Sequence, residues 1–268
     1  MKTQYLLAGL ARRLSHRFKL AVLSVQEYVF LCYEGVRGLL TPPRYPRDIL
    51  LQMDSLGVGS LSIVILTGMF TGMVLALQSS ATLDAFGARA YAGRLVCVSM
   101  VRELGPVLTA LMVTGRVGSG MAAELGSMVV TQQIDALRVL GTDPVRKLVA
   151  PRIAAGVIMV PVLTIISNAL GIFGAGLISI FNLKLSWVFY WRSVVNALAM
   201  NDLAMGLSKP VVFGFILSSV GCYMGLSTRG GTQGVGASTT QSVVVGSVLI
   251  LASDFFMTKL LLMIFPVS

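Results

Sequence analysis

Arg102 and Glu103 stand side by side inside an apolar run, just ahead of Pro106. A charged side chain at the centre of a bilayer costs at least ~2.5–3.5 kcal/mol on insertion scales. Adjacent residues on a helix point about 100° apart, so these two cannot satisfy each other. Pro106 adds polarity by freeing the carbonyl of Arg102, one turn earlier. A site of this kind lines a wet cavity, faces another subunit, or is held by ion pairs to other helices. The chemistry open to Arg102 is phosphate recognition, because a guanidinium forks onto phosphate oxygens and stays charged when buried. Glu103 can take an amine, a second guanidinium or water. Asp254 and Lys259, in a later apolar run, form another poor intrahelical pair.

Other chemistries are poorly supplied. His16 is the only histidine, and Cys32, Cys97 and Cys222 lie unspaced in apolar stretches. That argues against a zinc site and a His-dependent triad, and the thiols read as packing residues. Gly118-Ser119-Gly120-Met121-Ala122-Ala123 fits a dinucleotide pattern with Asp135 downstream, but the pattern needs a preceding strand. Here it continues an apolar helix, where small residues allow close packing. With no P-loop sequence, the chain is expected to bind no nucleotide cofactor of its own and to be no enzyme.

Composition places these residues in a membrane. Hydrophobic residues make up 55% of the 268 and charged residues 12%; the mean hydropathy is +0.83. The net charge of +10 does not mark a nucleic-acid binder, because the basic residues sit at the ends of apolar runs. A helical span needs about 20 apolar residues. Five candidates follow: Leu56–Leu77, the run between Arg94 and Arg116, Ile153–Leu183, Pro210–Ser227, and Val243–Phe265. The expected fold is an all-α polytopic membrane protein, residues 51–268 forming the spanning domain.

The lysines and arginines orient it. A cytoplasmic start puts fourteen of them inside, from Lys2 through Arg152 to Arg229, and leaves Arg89, Arg94, Lys184, Arg192 and Lys209 outside. The C-terminus is then expected outside and the stretch Gly115–Arg152 in the cytoplasm. Residues 1–50 read as N-terminal interfacial helices. Leu6, Leu10, Leu14 and Phe18 recur every fourth residue among basic ones, an amphipathic pattern suited to an anionic leaflet. Leu20–Tyr33, holding Gln26 and Glu27, reads as a second interfacial or re-entrant helix, with a full span as the alternative. The Pro42, Pro43 and Pro46 cluster ends the region.

Between the second and third spans the punctuation predicts a short cytoplasmic helix. Thr131 is placed to cap a helix from Gln132 to Leu140, with Ile134, Leu137 and Leu140 as its apolar stripe and Gln133 and Asp135 beside them. Gly141 stops it, and Asp143-Pro144 starts the next helix. Such a peg fits a groove in a soluble partner; an ordinary connecting helix is the alternative. Gly68/Gly72 and Gly221/Gly225 favour close helix contact, open to a dimer. Gly230 to Thr240 reads as a cramped polar connector.

These residues resemble a known family. Arg102-Glu103-Leu-Gly-Pro-Val-Leu-Thr-Ala-Leu-Met-Val, Gly115-Arg-Val-Gly, Ala122-Ala-Glu-Leu-Gly, Thr131-Gln-Gln-Ile-Asp-Ala-Leu, Gly141-Thr-Asp-Pro, Val149-Ala-Pro-Arg and Gly230-Gly-Thr-Gln-Gly-Val-Gly-Ala-Ser-Thr-Thr look like the MlaE/YrbE permeases of lipid ABC transporters. The resemblance covers about Leu56 to Phe265; Gln132 departs from the family's Glu. It implies a bacterial inner-membrane permease that moves phospholipid as a homodimer. The implied partners are a cytoplasmic ATPase that binds the ATP and magnesium, an MCE-domain periplasmic protein and a STAS-domain protein. It implies a lipid cavity at Arg102 and Glu103, for which Leu75 and Leu77 are candidate acyl-wall residues. It also implies ATPase coupling through Thr131, Gln132, Gln133, Ile134, Asp135, Leu137 and Leu140. An ion-coupled secondary transporter using Arg102, Glu103, Asp254 and Lys259, or a non-transporting membrane scaffold, are the rival readings.

The charge asymmetry makes the first prediction. A cysteine at Thr142 is labelled by an impermeant maleimide only from the cytoplasmic side, and one at Ser268 only from the other. Labelling of both from one side means an even number of spans.

Overall fold

The computed structural model describes residues 2–43, 45–85, 87, 91–182 and 184–264, without the side chains of 2–18, 20, 21, 81, 84 and 85. Ser268, and the last residue of the expected fifth span, lie outside the described residues. The chain folds as α1 (Lys2–Leu40), α2 (Pro46–Ala85), α3 (Ala92–Val130), α4 (Gln133–Val139), α5 (Val145–Phe181), α6 (Trp187–Ala197), α7 (Met200–Leu226) and α8 (Gly231–Ile264). There is no strand among the described residues. Five helices, α2, α3, α5, α7 and α8, are long and apolar enough to cross a membrane. At about 1.5 Å per residue, even the shortest of them exceeds the ~30 Å hydrocarbon core. The protein is an all-α polytopic membrane protein, as its composition predicts.

Three boundaries differ from the sequence expectation, each because tertiary packing tolerates residues that usually punctuate helices. Helix α3 does not end near Arg116 but continues to Val130, so the true gap before α5 is Thr131–Pro144. Its Gly118 is helical and pressed into the bundle, its carbonyl accepting a hydrogen bond from Ser242 of α8 at 3.0 Å. Helix α7 begins at Met200 and carries Pro210 inside it. Lys209 therefore lies within a span, 1% exposed, and not in an outer segment. Helix α8 begins at Gly231, so most of Gly230–Thr240 forms its first turns; Thr239 and Thr240 hydroxyls bond back to the Gly236 carbonyl. The connector is Ser227–Gly230, whose Gly230 takes a positive φ of 90°.

Helix α1 is also longer than expected, one continuous helix where two pieces were anticipated. It is absent from the span-length apolar helices. Gly35 and Gly38 lie against α5 at Ile153, Arg146 and Ala150. Tyr28 places its hydroxyl 2.8 Å from Ser219 Oγ and its ring edge-on to Tyr223, both in α7. Burial pushes the Cys32 thiol up from its ordinary value, so this cysteine stays protonated.

The core follows from close helix approach. Helix α2 lies along α5, and α7 packs between α5, α3 and α8. Leu56, Val64, Ala110, Val160, Leu163, Phe213 and Leu217 form the central cluster. The Gly68/Gly72 pair faces Ser167 and Gly171 of α5, and Gly221/Gly225 faces Gly118, Ala122 and Leu125 of α3. Both small-residue motifs thus pack within one chain. Only α8 leaves nearly all of its apolar stretch uncovered, with Val244, Val248, Leu251 and Phe255 exposed.

A methyl group at Gly72 would lie 1.9 Å from the Gly171 carbonyl oxygen, a backbone atom that cannot rotate away. Gly72→Ala should therefore cost about 1–3 kcal/mol, the usual penalty of overpacking. Gly236→Ala, with nothing within 4 Å, should be neutral or slightly stabilising. Thermal unfolding of the two variants in one detergent measures the difference.

Candidate functional site

Five charged residues inside the spans, Arg102, Glu103, Asp202, Lys209 and Asp254, pair across helices as a ladder. In α3 the segment Met100–Leu104 is a π-turn, with the Gly105 N–H donating to the Met100 carbonyl five residues back. Such turns occur frequently at functional sites. Gly105 is required here, because a Cβ would lie 1.6 Å from Asn168 Oδ1 of α5. The turn carries Arg102 and Glu103 to different partners. Arg102 Nε donates to Asp202 Oδ1 of α7 at 2.7 Å, and its terminal nitrogen pairs with the same oxygen. Asp202 Oδ2 accepts from the Ala199 N–H, so the same carboxylate caps α7. Lys209 of α7 donates to Glu103 Oε2 at 2.6 Å and pairs with Asp254 Oδ1 of α8 at 3.0 Å. Thr258 donates to Glu103 Oε1 at 3.3 Å. The cross-helix outcome thus holds for both sets of charges, and Asp254 pairs with Lys209 instead of Lys259.

Two hollows flank the ladder. A cavity of about 550 Å3 lies between the Ala92 end of α3 and the joint of α6 with α7; Arg94, Arg102, Asn201 and Asp202 are among its walls. A smaller one of about 260 Å3 touches Glu103, Lys209 and Thr258, with Leu261 and Leu262 as apolar wall. Leu75 lies elsewhere, with Leu104, Phe70 and Val74 along an open groove of about 340 Å3. Leu77 does not line that groove and is exposed on α2.

The short helix of the gap is α4, and its start corrects the expectation. Thr131 does not cap it; the hydroxyl bonds back to the Ser127 carbonyl of α3 at 2.9 Å. Gln132 makes the turn instead, in the left-handed region at φ 59°, and α4 begins at the exposed Gln133. Ile134 is buried and Leu137 half-buried, facing the bundle, while Val139 and Leu140 are 88% and 77% exposed. The stripe expected to face a soluble partner is therefore split: Ile134 and Leu137 turn to the bundle and only Leu140 stays open. Asp135 pairs with Arg138 at 3.2 Å on the open side. Gly141 ends the helix at φ 74°, and Asp143 Oδ1 accepts from the Val145 N–H at 2.9 Å, both as the sequence predicts. Beyond the turn, Lys147 pairs with Asp48 of α2, and buried Arg152 pairs with Glu124 of α3 at 2.8 Å.

The ladder and α4 therefore occupy opposite ends of α3, roughly 40 Å apart along a straight helix. The polytopic bundle, the charged ladder and the short α4 are set within a segment that matches the family described as Permease MlaE across residues 49–260. The chain belongs to the MlaE permease family. It is 41% identical to a probable ABC transporter permease protein of Rickettsia typhi, over 92% of this chain and 95% of that one. It is 38% identical to the intermembrane phospholipid transport system permease protein MlaE of Haemophilus influenzae, over 78% of this chain and 81% of that one. The chloroplastic protein trigalactosyldiacylglycerol 1 of Arabidopsis thaliana is 37% identical over 80% of this chain and 61% of the plant protein.

This MlaE-family chain carries two ladder residues that the sequence reading passed over, Asp202 and Lys209. Their spacing held a signal: seven residues, two turns, puts both on one helix face. It was lost by starting the fourth span at Pro210.

Lys209→Ala leaves the half-buried Asp254 and Glu103 without their cation and should cost about 3 kcal/mol, the low end for a broken buried pair, since both carboxylates keep some water. Lys209→Ala combined with Glu103→Gln and Asp254→Asn should recover most of that loss. Detergent thermal unfolding of the single and triple variants checks the coupling; equal losses mean that the cost of Lys209→Ala does not come from unpaired carboxylates.

Proposed function

We propose that this protein is the permease subunit of an ABC transporter that moves phospholipid between the bacterial inner membrane and the periplasmic side, powered by a separate ATPase. Membership of the MlaE family carries this reading, together with the phospholipid transport named for the Haemophilus influenzae relative. The geometry suits the task. A lipid path needs polar groups in an apolar wall, and the ladder supplies them beside two cavities. On this reading the N-terminus and α4 are cytoplasmic, the Ala92 end of α3 faces the periplasm, and residues 1–50 lie in the inner leaflet's interface. The spanning domain, residues 51–268, works as a homodimer. An MCE-domain protein receives or delivers lipid on the periplasmic side, and a STAS-domain protein accompanies the ATPase, which binds ATP and magnesium. Arg102 and Glu103 hold the polar wall in place through Asp202 and Lys209, and Leu75 forms part of an acyl wall; Leu77, exposed on α2, faces lipid.

The ATPase docks on α4. The exposed pair Val139 and Leu140 is the apolar tip offered to it, with Gln133, Asp135 and Arg138 around it, while Ile134 and Leu137 fasten α4 to the bundle. Thr131 and Gln132 set the angle at which the helix leaves α3.

The deciding experiment is transfer of fluorescent phospholipid from proteoliposomes holding the complete complex. Transfer should require ATP and be abolished by a catalytically dead ATPase; transfer driven by an ion gradient alone means a secondary transporter. Leu140→Asp should release the ATPase from the purified complex without impairing membrane insertion, because a carboxylate would be buried in an apolar groove. Full co-purification of the ATPase with that variant places the coupling elsewhere.

A further inference from the structure

We propose that the cavity of about 550 Å3 at the Ala92 end of α3 is a headgroup site for a phosphodiester lipid, with Arg94 as its phosphate-binding cation. The identity of the ligand rests on the lipid-permease reading above; the choice of cation rests on geometry alone. Arg102 also lines the cavity, but two of its guanidinium nitrogens are committed to the buried Asp202, so that pair is already neutral. Arg94 is exposed on the cavity wall and makes no ion pair or hydrogen bond among the described residues. The cavity thus holds one uncompensated guanidinium, a group that forks onto phosphate oxygens.

The surroundings favour an anion at this spot. Tyr91, Arg94, Leu95 and Val98 recur at three- and four-residue spacing, so one face of α3 forms a wall of alternating polar and apolar character. Tyr91, in a 3-10 turn, leads into α3 without a side-chain cap hydrogen bond. Asn201 on the facing α7 is a neutral amide donor.

Helix α6 decides between a lipid headgroup and free phosphate. Its C-terminal residues Asn196 and Ala197 form part of the cavity wall. Along the same helix Trp187 stacks on Trp191 at 5.7 Å, and both rings are partly exposed with Phe189 and Val195. An amphipathic helix with exposed tryptophans lies at the membrane–water interface. The cavity therefore opens at headgroup depth, where a phosphodiester arrives with its acyl chains beside it.

The test uses the full chain in its complete complex, with a benzophenone amino acid substituted at Leu95. Irradiation in vesicles of acyl-labelled phosphatidylethanolamine and phosphatidylglycerol should label the protein; vesicles doped with acyl-labelled diacylglycerol should not. Arg94→Gln should reduce the labelling about tenfold, the size of one lost charge-assisted hydrogen bond, with thermal stability unchanged; Arg94→Lys should restore part of it. Excess inorganic phosphate should leave lipid labelling in place. Equal labelling by diacylglycerol, or undiminished labelling of Arg94→Gln, overturns the headgroup site, and full displacement by inorganic phosphate assigns it to the free ion. Crosslinking reads occupancy, not transfer. A labelled wild-type complex that moves no lipid with ATP defeats the transport reading alone, whereas normal labelling of Arg94→Gln defeats this site alone.

Discussion

Pairing five ionisable side chains inside one apolar bundle, two of them fully buried, is the constraint on which the rest of this structure depends. Arg102, Glu103, Asp202, Lys209 and Asp254 come from three different spans and close on one another. An unpaired charge at membrane depth is costly, whereas the paired set ties α3, α7 and α8 into one register. Sliding α7 by one turn would separate Asp202 from Arg102 and Lys209 from Glu103 together. The π-turn at Met100–Leu104 and the contact of Gly105 with Asn168 are local adjustments that let α3 present both charges at once. Two cavities, of about 550 and 260 Å3, flank the ladder.

Close backbone approach provides the complementary constraint. Water exclusion gives little driving force between helices that already sit in lipid, so van der Waals contact and small residues set the association. Gly68, Gly72, Gly171, Gly156 and Gly214 bring α2, α5 and α7 together until carbonyl oxygens fill the space a methyl would need. Helices α8 and α4 are more open: α8 packs on α7 and α3 along one side but leaves Val244, Val248, Leu251 and Phe255 exposed, and α4 is fastened mainly through Ile134.

Much of this was legible in the residues themselves. The all-α polytopic class followed from apolar run length, and the five spans from where lysine and arginine interrupt them. The stop at Gly141 and the Asp143 start were readable because both are local: a left-handed glycine and a side-chain cap need no distant partner. Thr131 misled, since a threonine can bond backward into the preceding helix as easily as forward into the next, and here it does the former. The early end assigned to α3 and the late start assigned to α7 share a cause. Glycine and proline interrupt helices in water, but a crowded membrane interior accommodates them.

The sequence by itself determined that charges would lie inside the membrane, that they would need partners, and that a short helix stopped at Gly141 would stand between the second and third spans. Only the tertiary structure decided which partners: Arg102 with Asp202, and Lys209 shared between Glu103 and Asp254, pairings separated by about a hundred residues or by a neighbouring span. The same holds for Leu140, apolar like Ile134 and Leu137 yet turned outward. Local rules fix a residue's chemistry and its place on a helix face. Which face meets which depends on how whole helices pack, and that is a sum over many contacts no single stretch of sequence contains.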